Sequence, residues 1–419
     1  MITKYLHFKH HPAALGNIIE WYDFALYGYL ASYLSTSIFP THQHNKLILV
    51  YCIFASGIVS RLFGGIVFSH HGDTKDPNSA LNKSVKMMAV STALISFIPN
   101  YHTVGMIAPC LLLILRITQG ISAGGQYSGS LVILSNEHAL HRASHCALAY
   151  IYSIIGYLLA NIISALSTHL FASAANYSLS WRAPFLLSIP LVLIVNRRQD
   201  PKTISRKKTT LKIKNPIILL ARNHLFTWIL TTTLATIGGV FYFFIYVYLF
   251  NDMLIKSTHH PLAIYTINFI CLVGSCYLVK YFAVISDKHG RAPLFFFTFT
   301  GFLILNTPMS ELMQSNSLAL KFLTYAGFIT LFSAFTANAA AVYSEVFPVN
   351  IRYSGLALSY NTGIALSSFT PALATWLQAN QHIIIGIKLT TAILSLLGLG
   401  LIKPLQKKIN SVKHHRLSY

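Results

Sequence analysis

The sequence predicts an all-α membrane protein of twelve transmembrane helices in two six-helix bundles. Composition, the number of long apolar runs and the placement of basic residues carry that expectation. Of 419 residues, 54% are hydrophobic and 10% charged, with a mean hydropathy of +0.56. Soluble domains carry about 25% charged residues. That deficit argues against a soluble enzyme.

A spanning helix needs about 20 apolar residues. Such runs fall at 13–38, 46–69, 84–99, 104–134, 145–172 and 182–198, then at 223–250, 260–285, 293–312, 318–342, 354–378 and 382–402. The basic segment 199–222 divides them six and six, giving an amino-terminal bundle (1–198), a linker and a carboxyl-terminal bundle (223–419) with a short tail. A 6+6 pattern with a charged central loop suggests parallel repeats about an axis along the membrane normal, with a substrate site at mid-depth between them. A short internal echo supports this: GIVFSHHGDTKDPNSALNK joins the second and third spans, and FAVISDKHGRAPL joins the eighth and ninth.

The formal net charge of +21 would suit nucleic acid if it lay on one folded face. It sorts by topology instead. With the amino terminus inside, 25 of the 31 Lys and Arg residues, Arg61 among them, fall on the internal side and 5 on the external side (Lys46, Arg182, Lys256, Lys321 and Lys388). Arg116 alone lies deep in a span. The positive-inside rule then puts both termini in the cytoplasm. The expected surroundings are a lipid bilayer, with no nucleic-acid partner.

The five cysteines fall within or at the ends of apolar runs, without disulfide or zinc spacing. The 19 histidines lack HExxH or Cys-His ligand patterns, so no metal is expected. A GxxxxGK[ST] phosphate loop is also missing, so no ATP-driven step and no cofactor is implied. The amino terminus has no A-x-A cleavage site after a short apolar core, so the first span is expected to be retained.

The most informative segment is GNIIEWYDFALY, 16–27, which places Glu20 and Asp23 inside a spanning run. An ionised side chain near the bilayer centre costs at least about 2.5–3.5 kcal/mol. Helical spacing sets Asn17, Glu20, Asp23 or Phe24, and Tyr27 on one stripe. At 1.5 Å per residue, Asp23 lies about 15 Å from the internal start of its span, and Arg116 about 18 Å from the external start of the fourth. Both reach mid-depth. Arg116 is therefore matched to Asp23 or Glu20, either as a pair exchanged for a substrate carboxylate or a proton, or as a static buried salt bridge.

The fourth span carries RITQGISAGGQYSGS, with Gly120/Gly124 and Gly125/Gly129 as overlapping GxxxG pairs that permit close or sliding backbone contact. Gln126 and Tyr127 follow; they either contact substrate or cap a packing surface. Tyr360, Asn361 and the run FYFFIYVY (241–248) are read as lipid or bundle contacts. Lys280 is expected to snorkel. Asp73, Glu137, Arg142, Asp287, Arg291, Glu345 and Arg352 sit at internal span ends, as latch pairs or as solvated loops.

These residues resemble the metabolite:H⁺ symporter family of the major facilitator superfamily, which includes proline/betaine, α-ketoglutarate, citrate and shikimate transporters. The likeness rests on GNIIEWYDFALYG (16–28), RLFGG (61–65), LRITQGISAGGQYSG (115–129), WRAPFLLS (181–188), SDKHGR (286–291) and SEVFPVNIRYSGLALSYNTG (344–363), in that order. The resemblance implies the major facilitator fold, with Glu20, Asp23 and Arg116 in or beside a central cavity and the loop at Asp287, Gly290 and Arg291 governing internal closure. Three departures stand out. Gly72 and Asp73 are kept but the following Gly-Arg is lost, the family's G-G-E-Y reads Gly124, Gly125, Gln126, Tyr127, and the linker is compressed. After Lys403 no heptad run appears, so the coiled-coil extension of some osmosensing relatives is not expected.

The expected activity is proton-coupled import of a small polar metabolite (carboxylate, amino acid or betaine) by a monomer in a bacterial inner membrane. Glu20 and Asp23 would couple the proton. Asn17, Tyr27, Arg116, Gln126 and Tyr127 would contact substrate, and Asp73, Arg142, Asp287, Arg291, Glu345 and Arg352 would form the cytoplasmic gate. An uncoupled facilitator or exporter of metabolites or chelators, and a degenerate non-transporting copy, are the competing readings.

Overall fold

The computed structural model describes residues 12–40, 45–74, 77–137, 141–171, 177–190, 220, 222–257, 260–312, 315, 317–348, 351–380 and 382–417. Among these the regular structure is helical throughout. In hydrocarbon this is forced, because a helix satisfies its backbone groups within its own segment. The amino-terminal half consists of α1 (Pro12–Tyr29), α2 (Ala31–Ile38), α3 (Lys46–Thr74), α4 (Pro77–Ile95), α5 (Tyr101–Val104), α6 (Ile107–Ala123), α7 (Gln126–Glu137), α8 (Arg142–Leu170) and α9 (Tyr177–Leu186). The second half consists of α10 (Leu225–Tyr242), a π-helical segment (Phe243–Leu249), α11 (Phe250–Lys256), α12 (Pro261–His289), α13 (Arg291–Leu312), α14 (Leu318–Glu345), α15 (Arg352–Ser367), α16 (Thr370–Ala379) and α17 (Ile383–Leu417).

Eight helices among the described residues are long and apolar enough to span by length and composition alone. The remaining predicted spans are polar or broken. The first carries two acids, the third has a polar amino-terminal half, the sixth has Pro184 within α9, and the eleventh divides into α15 and α16. The linker expected at 199–222 lies outside the described residues apart from Leu220 and Arg222.

Between the halves, α8 packs on α12 and α3 on α15. In span numbers, the fifth meets the eighth and the second meets the eleventh, the exchange a two-fold axis along the membrane normal demands. The seventh span is central, 83% of its most apolar window being buried, whereas the corresponding window of α17 is 22% buried and faces lipid. The last helix also differs from expectation. It runs on past Lys403 to Leu417, because Leu405, Ile409 and Val412 keep an apolar stripe buried for two further turns.

The fourth span breaks at Gly124–Gly125 into α6 and α7. Just before the break the α3 and α6 backbones touch: a Cβ on Gly120 would collide with the Gly57 carbonyl, and one on Gly124 with the backbone of Arg61, Gly64 and Gly65. Only glycine permits that approach.

Candidate functional site

The acids of α1 are fully buried, Glu20 at 0% and Asp23 at 1% exposure. Each has its own arginine. Arg116 Nη1 donates to Asp23 Oδ2 at 3.1 Å, while Arg61 Nη2 lies 2.5 Å from Glu20 Oε1. From the sequence, Arg61 is expected on the internal side. At 2% exposure it is instead buried, and depth arithmetic agrees, since it lies eight residues, or about 12 Å, inside the end of its span.

Asp23 is held by a network. Thr92 Oγ1 and Gln119 Nε2 donate to its Oδ1 at 2.8 and 2.7 Å, and Arg116 also donates to Gln119 Oε1 at 2.6 Å. The Arg116 guanidinium sits 4.0 Å from the Tyr27 ring centroid and 5.3 Å from that of Phe54. Tyr27 thus contributes its ring face as a cation–π partner, while its hydroxyl donates to Val50 O at 2.8 Å. Asn17 turns away from this network and donates to Ser130 Oγ at 3.1 Å and Ala149 O at 3.2 Å.

Beside the ion pairs, on the seam between the bundles, lies a cavity of about 40 Å³. Aromatic rings dominate its wall: Trp21, Tyr127, Tyr150, Tyr242, Phe332 and Tyr360. Tyr127 stacks on Tyr360 at 4.8 Å, and Trp21 meets Tyr242 edge-on at 5.3 Å. Tyr127 therefore does line the cavity; Gln126 is buried beside it but does not, and neither do Asn17, Tyr27 and Arg116. Tyr360 and the run 241–248 are bundle contacts rather than lipid contacts, every residue of the run being buried. The π-helical turn Phe243–Leu249 follows Tyr242 directly and carries Tyr246, whose hydroxyl lies 3.2 Å from that of Tyr150 across the seam. Such turns interrupt the α-helical ladder and frequently mark functional sites.

Both ends of the seam are closed. On the basic face, the α8 amino terminus lacks a side-chain cap of its own, and Asp287 of the opposite bundle supplies one. Its carboxylate accepts the Ala143 and Ser144 N–H groups at 2.9 Å each and the Ser144 hydroxyl at 2.8 Å. Arg291 braces Asp287 at 3.0 Å and grips Glu345 through Nη2 at 2.7 Å and Nε at 3.1 Å. Arg142 approaches Glu345 at 3.8 Å. Gly290, at φ +89°, makes the turn that leads from Asp287 into Arg291.

Arg352 bonds Asn136 Oδ1 at 2.6 Å, and Asn361 donates to Gly124 O at 2.8 Å, so the second pair of span ends is also bridged. Gly125 and Gly129 face Tyr353 rather than another helix backbone. Asp73 lies on α3 with its side chain outside the described residues, as does that of Glu137. Lys280 does not snorkel freely; its Nζ reaches Ser144 O at 3.5 Å. At the opposite face Asn268 donates to Tyr29 Oη at 3.0 Å and Asn161 Oδ1 at 2.7 Å, and Tyr325 donates to Asn268 at 2.8 Å. Asn251 bonds the Gly28 carbonyl. With both faces bridged, a 40 Å³ cavity is well below the 300 Å³ or more of ordinary metabolite pockets, so a substrate enters only when the bundles part.

A two-bundle helical protein with buried charge pairs beside a seam closed at both ends is built as a membrane transporter. Residues 13–305 match the model of the Major Facilitator Superfamily, and the chain belongs to that family. It is 28% identical over 393 residues to the glycine betaine/proline/ectoine/pipecolic acid transporter OusA of Dickeya dadantii, covering 88% of this chain and 77% of that one. It is 26% identical over 404 residues to the proline/betaine transporter of Escherichia coli K12 (88% and 78% covered). To the alpha-ketoglutarate permease of the same organism it is 27% identical over 365 residues (84% and 83% covered). These relatives are of the metabolite:H⁺ symporter type. The proton:xylose symporter XylE, solved with 6-bromo-6-deoxy-D-glucose bound, shares the fold at a TM-score of 0.74 and 16% identity, covering 94% of each chain.

The residues of the charge network and cavity wall that the sequence does not place in the site are Thr92, Gln119 and Trp21, together with Arg61, read as an internal-side charge, and Tyr242 and Tyr360, read as lipid or bundle contacts. Gln119 was within reach, since it follows Arg116 by three positions on the same apolar helix. Thr92 and the rings carry no such local sign.

Proposed function

We propose that this protein imports a small polar metabolite by proton symport, working as a monomer in a bacterial inner membrane with its basic face and both termini in the cytoplasm. The observation that carries the reading is the pair of buried carboxylate–guanidinium contacts on α1, set beside the inter-bundle cavity. A carboxylate there is stable either ionised against its arginine or protonated without it, so protonation and pairing are alternatives. One of the two α1 acids carries the proton, and the contacts of Asp287, Arg291, Glu345, Arg142 and Arg352 form the cytoplasmic gate.

The lining and the charges beside it support a substrate class. Aromatic faces attract an ammonium, and the neighbouring guanidiniums attract a carboxylate. An amino acid or betaine satisfies both and a carboxylic acid one of them; the named substrates of the relatives fall in those classes. The test is uptake of radiolabelled proline, glycine betaine and 2-oxoglutarate into proteoliposomes, with and without an inward proton gradient. Gradient-stimulated accumulation that a protonophore abolishes is the expected result. Uptake of all three indifferent to the protonophore would make the protein an uncoupled facilitator.

A further inference from the structure

The two ion pairs on α1 are built differently. Asp23 accepts from three side chains on two other helices, and its arginine is packed against the rings of Tyr27, Phe54 and Phe24. None of these residues lines the cavity. Both oxygens of that carboxylate are occupied, although Arg116 Nε and Nη2, like Arg61 Nε, have no hydrogen-bond partner, and a carboxylate so held resists exchange.

Glu20 and Arg61 are poorly provided for. Apart from their mutual contact, neither Glu20 oxygen has a hydrogen-bond partner, and neither does Arg61 Nε, although all are buried. Glu20 and Arg61 do not line the cavity either, but several residues that do line it lie near the pair. Trp21, the next residue after Glu20, forms part of its wall, and so do Tyr127, Tyr242 and Tyr360, whose hydroxyls lie within the electrostatic reach of Glu20, Arg61 or both. Asp23 on the same helix is the other charge near Glu20. What separates the pairs is the carboxylate: Glu20, with no partner beyond its arginine, is incomplete as a structural element and suited to take a proton when a third polar group enters, whereas Asp23 is not.

We propose that Arg61 anchors the substrate carboxylate and Glu20 carries the symported proton, exchanging partners beside the cavity, while Asp23 and Arg116 form a static brace. The inference rests on the symport reading above. The exchange balances: a substrate carboxylate replaces the Glu20 carboxylate on Arg61, and a proton from the medium settles on the released Glu20 oxygen. The net charge of the site is unchanged. Without that proton, a bare carboxylate would be left buried beside the substrate, so the two bind together. The substrate class is carboxylate-bearing, and an ammonium centre, where present, rests against Trp21, Tyr127, Tyr242 and Tyr360.

The test uses the full chain in proteoliposomes, with proline, glycine betaine and 2-oxoglutarate as probes and choline as an ammonium without a carboxylate. Melting temperature is followed throughout to establish folding. For Glu20→Gln we expect binding that no longer varies with pH between 5.5 and 8 and exchange across the membrane without gradient-driven accumulation. Arg61→Gln is expected to weaken binding of the carboxylate probes about tenfold or more, with choline unbound by either form. For Asp23→Asn a lower melting temperature is expected, with the pH midpoint of binding as in the wild type. Accumulation by Glu20→Gln under a proton gradient, or a pH midpoint abolished in Asp23→Asn and kept in Glu20→Gln, overturns the assignment while symport stands. Wild-type uptake of every probe indifferent to the gradient overturns the symport reading and this inference with it.

Discussion

Removing the carboxylate of Asp287 tests how the basic face is held shut. In the closed state it accepts three hydrogen bonds from the first turn of α8 on the opposite bundle, at 2.9, 2.9 and 2.8 Å. Bonds to a charged acceptor are worth about 1.5–3 kcal/mol each. Because bonds sharing one carboxylate do not add fully, we take about 3 kcal/mol for the set. All three cross the seam, so they are lost when that face opens. Asp287→Ala should therefore shift the closed-to-open ratio at that face about a hundredfold toward open. Spin labels at the exposed positions His141 and Lys288 straddle the contact. Their distance distribution, measured by pulsed electron resonance, should gain a dominant longer component in the variant. Asp287→Asn, which keeps one acceptor oxygen, should fall between. A distribution unchanged in Asp287→Ala would refute the latch.

Three further outcomes follow from the packing. Gly120→Val should cost about 3 kcal/mol or more, since the new atoms meet the Gly57 backbone rather than a movable side chain; the melting temperature in detergent reads this, and an unchanged melt contradicts it. Asn268→Ala removes the hub joining Asn161, Tyr29 and Tyr325. At about 1 kcal/mol per neutral bond it should favour opening at the face away from the basic one, seen as faster labelling of a cysteine placed at the buried Ser164, outside the cluster, in a background free of native cysteines; equal labelling rates would show that the cluster is no gate. Trp21→Ala should raise the KM for a bound metabolite about tenfold through loss of one cavity wall. An unchanged KM would exclude the aromatic cavity as the binding place.

Much of the architecture was legible because a membrane imposes few solutions. Span length, linker charge and the basic bias each read directly from local composition. The match of Arg116 to a helix-1 acid at mid-depth was legible for the same reason, since depth is linear in residue number along a helix. What lies in the pairing of distant segments was not. The depth of Arg61, about 12 Å inside the end of its span, was legible, but its partner was not. Only the fold shows that Glu20 lies against it and that Asp23 takes Arg116. Tyr360 and Tyr242 read as apolar whether they face lipid or a cavity, and nothing local separates the two. The Asp287 cap joins residues 144 and 143 positions apart, a distance over which no periodic pattern speaks.

The claim at the centre is that substrate and proton move together. With a pH-sensitive dye sealed inside proteoliposomes, adding glycine betaine, proline or 2-oxoglutarate outside, with no imposed gradient, should acidify the lumen in proportion to substrate entering the wild-type vesicles. In Glu20→Gln vesicles the same substrate should exchange with no acidification. Net wild-type entry of the substrate at constant lumenal pH would contradict the account.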